Sequence, residues 1–207
     1  VHYPAEMQAP ARYVSGGVCS EVVSLLDITA TTLAMAGAEI PASMQSHNFL
    51  GPEAKPPRKY AFSARDRIDE TALRMRSVRG KRFHYIRNYS QGAGFATLNR
   101  YKEKCFMIKP LMRELLAEGK LTGAAKELME PIPYESLYDT EADPHEIRNL
   151  VASPEHQSVL SEFRTALDVW EAETNDRGWI PESDDVVAPF EKEMHDWFGT
   201  PDWVKKE

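Results

Sequence analysis

Five of the six residues 65–70 are charged: Arg65, Asp66, Arg67, Asp69 and Glu70. Arginine presents a planar fork of donors that can hold a sulfate, phosphate or carboxylate through two parallel hydrogen bonds. Carboxylates interleaved with such arginines can fix the guanidinium groups in place or accept hydrogen bonds from sugar hydroxyls. Arg65, Asp66, Arg67 and Asp69 are therefore the candidate ligand-binding residues, with Arg76 and Arg79 behind them as supporting charge. The same pattern also describes an internal ion-pair network that stabilises a loop, and residue types alone leave both readings open.

Other catalytic chemistry is not legible. The six histidines (His2, His47, His84, His145, His156, His195) form no pair at helical spacing and no HExxH. Cys19 and Cys105 give neither a disulfide framework nor a metal-ligand spacing. Gly92-Ala93-Gly94 lacks the spacing of a phosphate loop, and Asp184-Asp185 belongs to an acidic stretch. Basic and aromatic residues interleave from Lys81 to Tyr89, but without an RNA-binding motif. No catalytic residue and no metal ligand is assigned.

The elements that must position the arginines follow from pattern. Gly51–Pro57 holds three prolines and a glycine and marks a boundary, a linker over 51–57. Before it, Val18–Leu26 reads as a buried strand, Asp27 as an N-cap, and Ile28–Ala36 as a short helix stopped by Gly37. After it, alternation around Tyr60 and Phe62, then Leu73 and Met75, then Phe83, Tyr85, Arg87 and Tyr89 predicts antiparallel strands, with a tight turn at Gly80. Leu137-Tyr138 is a fourth strand. On this reading the charged cluster begins just past the end of the first strand.

A helical insertion over 99–130 separates strands three and four, and Pro110 should kink or split its first helix. Asp143-Pro144-His145-Glu146 reads as a capped helix start. Ser153-Pro154 opens the firmest helix, with Val159, Leu160, Phe163, Ala166, Leu167 and Trp170 on one face. Residues 183–207 form an acidic tail with a short amphipathic piece.

Composition sets the limits. A chain of 207 residues with 42 % apolar content can bury a core. Its net charge of −7 argues against general nucleic-acid binding. The charge is uneven: Arg58–Lys104 carries thirteen basic residues against four acidic, which could face an anionic ligand, and Glu171–Glu207 carries eleven acidic against four basic. No apolar run of about 18 residues suggests a membrane span. No signal peptide is visible at Val1–Pro4, and a chain without an initial Met is expected to be a fragment or a processed product.

Several segments in fixed order resemble sulfatases of the alkaline-phosphatase superfamily, especially the group similar to N-sulfoglucosamine sulfohydrolase. They are VSLLDITATTLAMAGAEIP (Val23–Pro41), MQSHNFLG (Met44–Gly51), ARDRIDE (Ala64–Glu70), RSVRGKRFHYIRNY (Arg76–Tyr89) and LYDTEADPHEIRNL (Leu137–Leu150). Ala30 and Ser46 depart from the usual proline and glycine. The resemblance covers about residues 20–182 and implies an α+β C-terminal portion. Its core is a four-stranded antiparallel sheet packed by a long C-terminal helix (58–182), preceded by the last strand and helix of a large α/β/α domain (1–50).

It further implies a parent enzyme that hydrolyses sulfate esters or sulfamates on a sulfated saccharide, in the periplasm or secreted. Such an enzyme uses formylglycine and calcium. Neither cysteine stands in the C-x-P-x-R context from which formylglycine forms, so this segment alone is expected to be inactive, with the N-terminal catalytic part of the same enzyme as its partner. Two alternatives stay open: a stand-alone module binding anionic glycans or a protein partner, and part of a phosphatase or phosphonate hydrolase of the same superfamily.

Overall fold

The computed structural model describes residues 9–10 and 12–206. Its centre is a four-stranded antiparallel sheet in the order β1-β2-β3-β4, with β1 Ala61–Ile68, β2 Thr71–Arg79, β3 Phe83–Asn88 and β4 Glu135–Asp139. Two residues, Asp69-Glu70, join β1 to β2, and Asp69 takes a positive φ of 53° that its short polar side chain tolerates. Gly80 N–H donates to the Phe83 carbonyl at 2.9 Å and closes the next turn. The strands run longer than the alternating apolar residues indicate. Arg65–Ile68 therefore lie within β1, not beyond its end, and only Asp69 and Glu70 of the charged cluster are in a turn.

Residues group into two compact units, one through Phe62 with Arg79–Phe83, the other Ser63–Val78 with His84 onward. In the first, α1 spans Leu26–Met35. It ends as the sequence predicts: Gly37 adopts φ 71°, its N–H donates to Ala34, and Ala38 N–H donates to Leu33 at 2.9 Å, a paired closure of the last carbonyls. The strand expected at Val18–Leu26 is not formed. A strand needs a hydrogen-bonded neighbour, and among the described residues this stretch has none; Val18 is 97 % exposed. Asp27, expected to cap α1, instead lies in its first turn and binds outward. Its carboxylate accepts from Ser24 N–H at 2.9 Å, His47 N–H at 2.7 Å and the Arg58 guanidinium at 2.7 and 2.8 Å.

In the second unit the insertion is three helices, α2 Arg100–Cys105, α3 Ile108–Ala117 and α4 Gly123–Met129. The break falls at Phe106, which is extended, rather than at Pro110. Pro110 occupies the third position of α3, where an amide hydrogen would have no acceptor within the helix, so the proline costs little there. After β4 no helix starts at Asp143. Glu146 has φ 54° and pairs with His84 at 3.0 Å, and Asp143 accepts from Arg148 N–H at 2.7 Å, closing a turn instead.

Ser153 and Pro154 open a short 3-10 turn leading into α5, Gln157–Thr174. Its Leu160, Phe163 and Leu167 are buried, as are Leu73, Val78, Tyr85 and Leu137 of the sheet. Polar bonds fix α5 over β3 and β4: Arg87 to Asp168 at 2.8 Å, Arg164 to Glu135 at 2.8 Å, and Tyr89 to Glu171. The acidic stretch from 183 contains a further helix, α6 Asp184–Phe198, which packs on α2 through Phe198 and Tyr101, ring centroids 5.6 Å apart. No helix is long and apolar enough to cross a membrane among the described residues.

Burial would push the Asp27 carboxyl upward, but the hydrogen bonds from Arg58, His47 and Ser24 outweigh it, and its pKa falls from 3.8 to about 2. A depressed carboxylate contributes stability that is full above the unfolded value and is lost as pH falls through the folded one. Asp27 should therefore contribute about 2 kcal/mol that disappears between pH 4 and pH 2. Urea unfolding of the Asp27→Asn variant across that range should show a flatter pH dependence than the parent; an identical slope would contradict this.

Candidate functional site

On β1, Arg65 and Arg67 share one face by strand alternation, and Asp66 and Ile68 point to the other. Arg76 enters from β2 and is only 2 % exposed. Its guanidinium is fully occupied. One edge binds the Asp176 carboxylate, with Nη2 to Oδ1 at 2.8 Å. Nη1 reaches Asp66 at 2.9 Å and also donates to the Arg65 and Met75 carbonyls at 2.9 Å. The hydrogen bond from Arg76 holds the Asp176 carboxyl below the usual range.

Asp176 is delivered by the end of α5. Asn175 adopts φ 50°, which asparagine tolerates, and Asp176 N–H returns to the Glu171 carbonyl at 2.9 Å. The chain then crosses Arg76 at Gly178, where an added Cβ would stand 1.9 Å from the guanidinium. Arg74 donates to the Trp179 carbonyl at 3.0 Å. Three residues later Glu182 receives Arg67, with Nε to Oε2 at 2.7 Å and Nη2 to Oε1 at 3.3 Å. Arg67 also donates to the Asp69 carbonyl at 2.6 Å and stacks 3.9 Å from the centroid of Phe190.

The four candidate residues are thus brought together on β1 and the turn after it, but they are not equivalent. Asp66 is spent on Arg76. Arg67 is spent on Glu182 and the Asp69 carbonyl. Asp69 accepts from Asn99, the residue that caps α2. Arg65 differs: its Nε is buried without a hydrogen-bond partner, and its side chain pairs with no carboxylate among the described residues. Of the two supporting arginines, Arg76 does hold the cluster, while Arg79 is the last residue of β2 and belongs to the first unit. Sequence reasoning missed Asp176, Gly178, Glu182 and Phe190. They lie about a hundred positions from the arginines they meet, and no local pattern links the two.

The first unit carries a cavity of about 750 Å³ lined by residues 12–14 and 16–23, with Asp27, His47, Phe49 and Arg58 among its walls. Burial first, then the charges of Arg58 and Lys55, hold the His47 imidazole below its ordinary pKa. Both cysteines are exposed and unbridged. No three His, Cys, Asp or Glu side chains come together as a metal group among the described residues.

Removing the Asp176 charge should leave a buried guanidinium with one partially exposed carboxylate. Asp176→Asn is expected to cost about 3 kcal/mol, and Gly178→Ala a similar amount through its clash with Arg76. Denaturant midpoints measure both; losses below about 0.5 kcal/mol, the range of ordinary surface substitutions, would show that Arg76 is not the anchor.

No family model matches the sequence. It is 36 % identical over 165 residues to an ulvan-active sulfatase of Formosa agariphila, covering 79 % of this chain and 28 % of that protein. It is 29 % identical over 195 residues to the human N-sulphoglucosamine sulphohydrolase, covering 86 % and 37 %. Solved structures that align with it include a 2-O GAG sulfatase, at 20 % identity and TM-score 0.45 over 72 % of this chain and 25 % of that one. Another was solved with its substrate D-glucosamine-2-N,6-O-disulfate, at 19 % identity and TM-score 0.48 over 75 % and 25 %. The chain spans about a third of the length of these curated relatives. The sequence likenesses support one assignment, the C-terminal portion of a sulfatase.

Proposed function

We propose that this chain is the part of a sulfatase that helps hold a sulfated saccharide, while bond breaking is carried out by residues outside it. The observation that carries the reading is Arg65. In a cluster where neighbouring charges are consumed by one another, it keeps an unspent guanidinium beside them. A guanidinium that no carboxylate of the chain consumes can still offer its donors to a ligand oxygen. Asp66 and Arg76 then act by fixing the backbone of Arg65, whose carbonyl Arg76 holds at 2.9 Å. Arg67 and Asp69 lie beside Arg65, on the same strand and the turn after it.

The parent activity, hydrolysis of a sulfate ester or sulfamate, is supported by the relatives named above, one of them active on ulvan and one an N-sulphoglucosamine sulphohydrolase. Calcium and formylglycine would belong to the remainder of such an enzyme, and a periplasmic or secreted location follows from the same family reading. The segment by itself would bind without turnover.

Arg65→Gln in a full-length enzyme carrying this segment should raise KM for a sulfated saccharide by roughly tenfold to a hundredfold, the worth of one hydrogen-bonded charge contact. Its melting temperature should stay near that of the parent. Unchanged KM and kcat would remove Arg65 from substrate binding.

A further inference from the structure

The two carboxylates that grip the arginines from the segment between α5 and α6 differ in one physical respect. Asp176 and Arg76 are 15 % and 2 % exposed, whereas Glu182 and Arg67 are 37 % and 15 % exposed. Breaking the first pair strands a charge inside the protein. The second pair faces water, where such contacts are worth little and exchange readily with other anions. Glu182 also sits in irregular backbone, one residue before the cap of α6, so its side chain can leave without unwinding an element.

Arg67, by contrast, does not depend on Glu182 for its place. The Asp69 carbonyl holds its Nη1 at 2.6 Å and the Phe190 ring lies 3.9 Å from its guanidinium carbon. Release of Glu182 therefore leaves a preset guanidinium with Nε and Nη2 open on one edge. That edge offers two parallel donors, the arrangement that matches two oxygens of a sulfate.

We infer that Arg67 is an anion site for a sulfate group of the saccharide, and that Glu182 is its intramolecular placeholder, displaced when the ligand arrives. This rests on the reading that this end of β1 meets a sulfated substrate, and it adds a self-masking contact to that surface. The carboxylate keeps the site from collecting stray anions and sets a threshold that only a ligand anchored elsewhere, as at Arg65, passes easily.

The test is a titration of the chain with inorganic sulfate, followed by the Nε–H resonances of its arginines in 15N NMR. In Glu182→Gln the Arg67 resonance should shift saturably, with an apparent Kd about threefold to fivefold lower than in the parent, a gain capped by the small worth of an exposed pair. Glu182→Ala should do the same, without the hydrogen bond that glutamine could retain. Arg67→Gln in the Glu182→Gln background should remove that resonance and leave no other arginine resonance with the same saturable shift. Equal affinities in parent and both Glu182 variants, or an Arg67 resonance that never moves, would overturn the placeholder. The Arg65 resonance in the same titration reports separately. If it moves while Arg67 does not, the pocket reading stands and the placeholder falls; if Arg67 responds and Arg65 stays silent, the placeholder stands and the role of Arg65 falls.

Discussion

A guanidinium that is 2 % exposed organises the second unit. An arginine removed from water is tolerated only where carboxylates and carbonyls replace its hydration shell, since a buried charge left without partners costs several kcal/mol. Arg76 draws these partners from two places beyond its own strand. Asp66 and the Arg65 carbonyl come from the neighbouring strand, and Asp176 comes from beyond the end of α5. The helix must therefore stop where it does, Asn175 must accept a left-handed backbone, and position 178 must lack a side chain. One charge on β2 constrains the chain from Asn175 to Gly178.

That constraint also sorts the basic residues by what they can still do. Arg76 and Arg74 are committed to holding backbone and carboxylate inside the fold. Arg67 is committed through a solvent-facing pair. Arg65 keeps its side chain uncommitted, although the adjacent Asp66 is paired with Arg76. A cluster that looks uniformly suited to an anion is thus mostly scaffold, with a small open remainder. Such a scaffold would favour anion binding, because a donor fork fixed beforehand loses less freedom when it takes up a ligand oxygen.

Much of the architecture was legible. Period-two alternation at Leu73 and Met75 and again from Phe83 to Tyr89 located the hairpins, and the apolar face from Val159 to Trp170 located α5, because burial against one surface selects those periods. Gly37 stopped its helix through a positive φ. What stayed hidden depends on distant partners. Val18–Leu26 has strand-forming residues but, among those described, no neighbour to pair with. Asp143-Pro144 has the residue types of a capped helix, yet Glu146 takes a left-handed backbone and pairs with His84. At the candidate site the arginines were visible, but which of them would be consumed was not, since Asp176 and Glu182 stand about a hundred positions away.

We propose that Arg65, and not its buried neighbour Arg76, is the guanidinium that meets an anionic substrate. A crystal structure of a longer protein carrying this chain, with a sulfated saccharide bound, measures this directly. A ligand oxygen should lie within about 3 Å of an Arg65 nitrogen, with the Arg76–Asp176 pair intact. A saccharide bound with no contact to Arg65, or one that draws Arg76 away from Asp176, would contradict it.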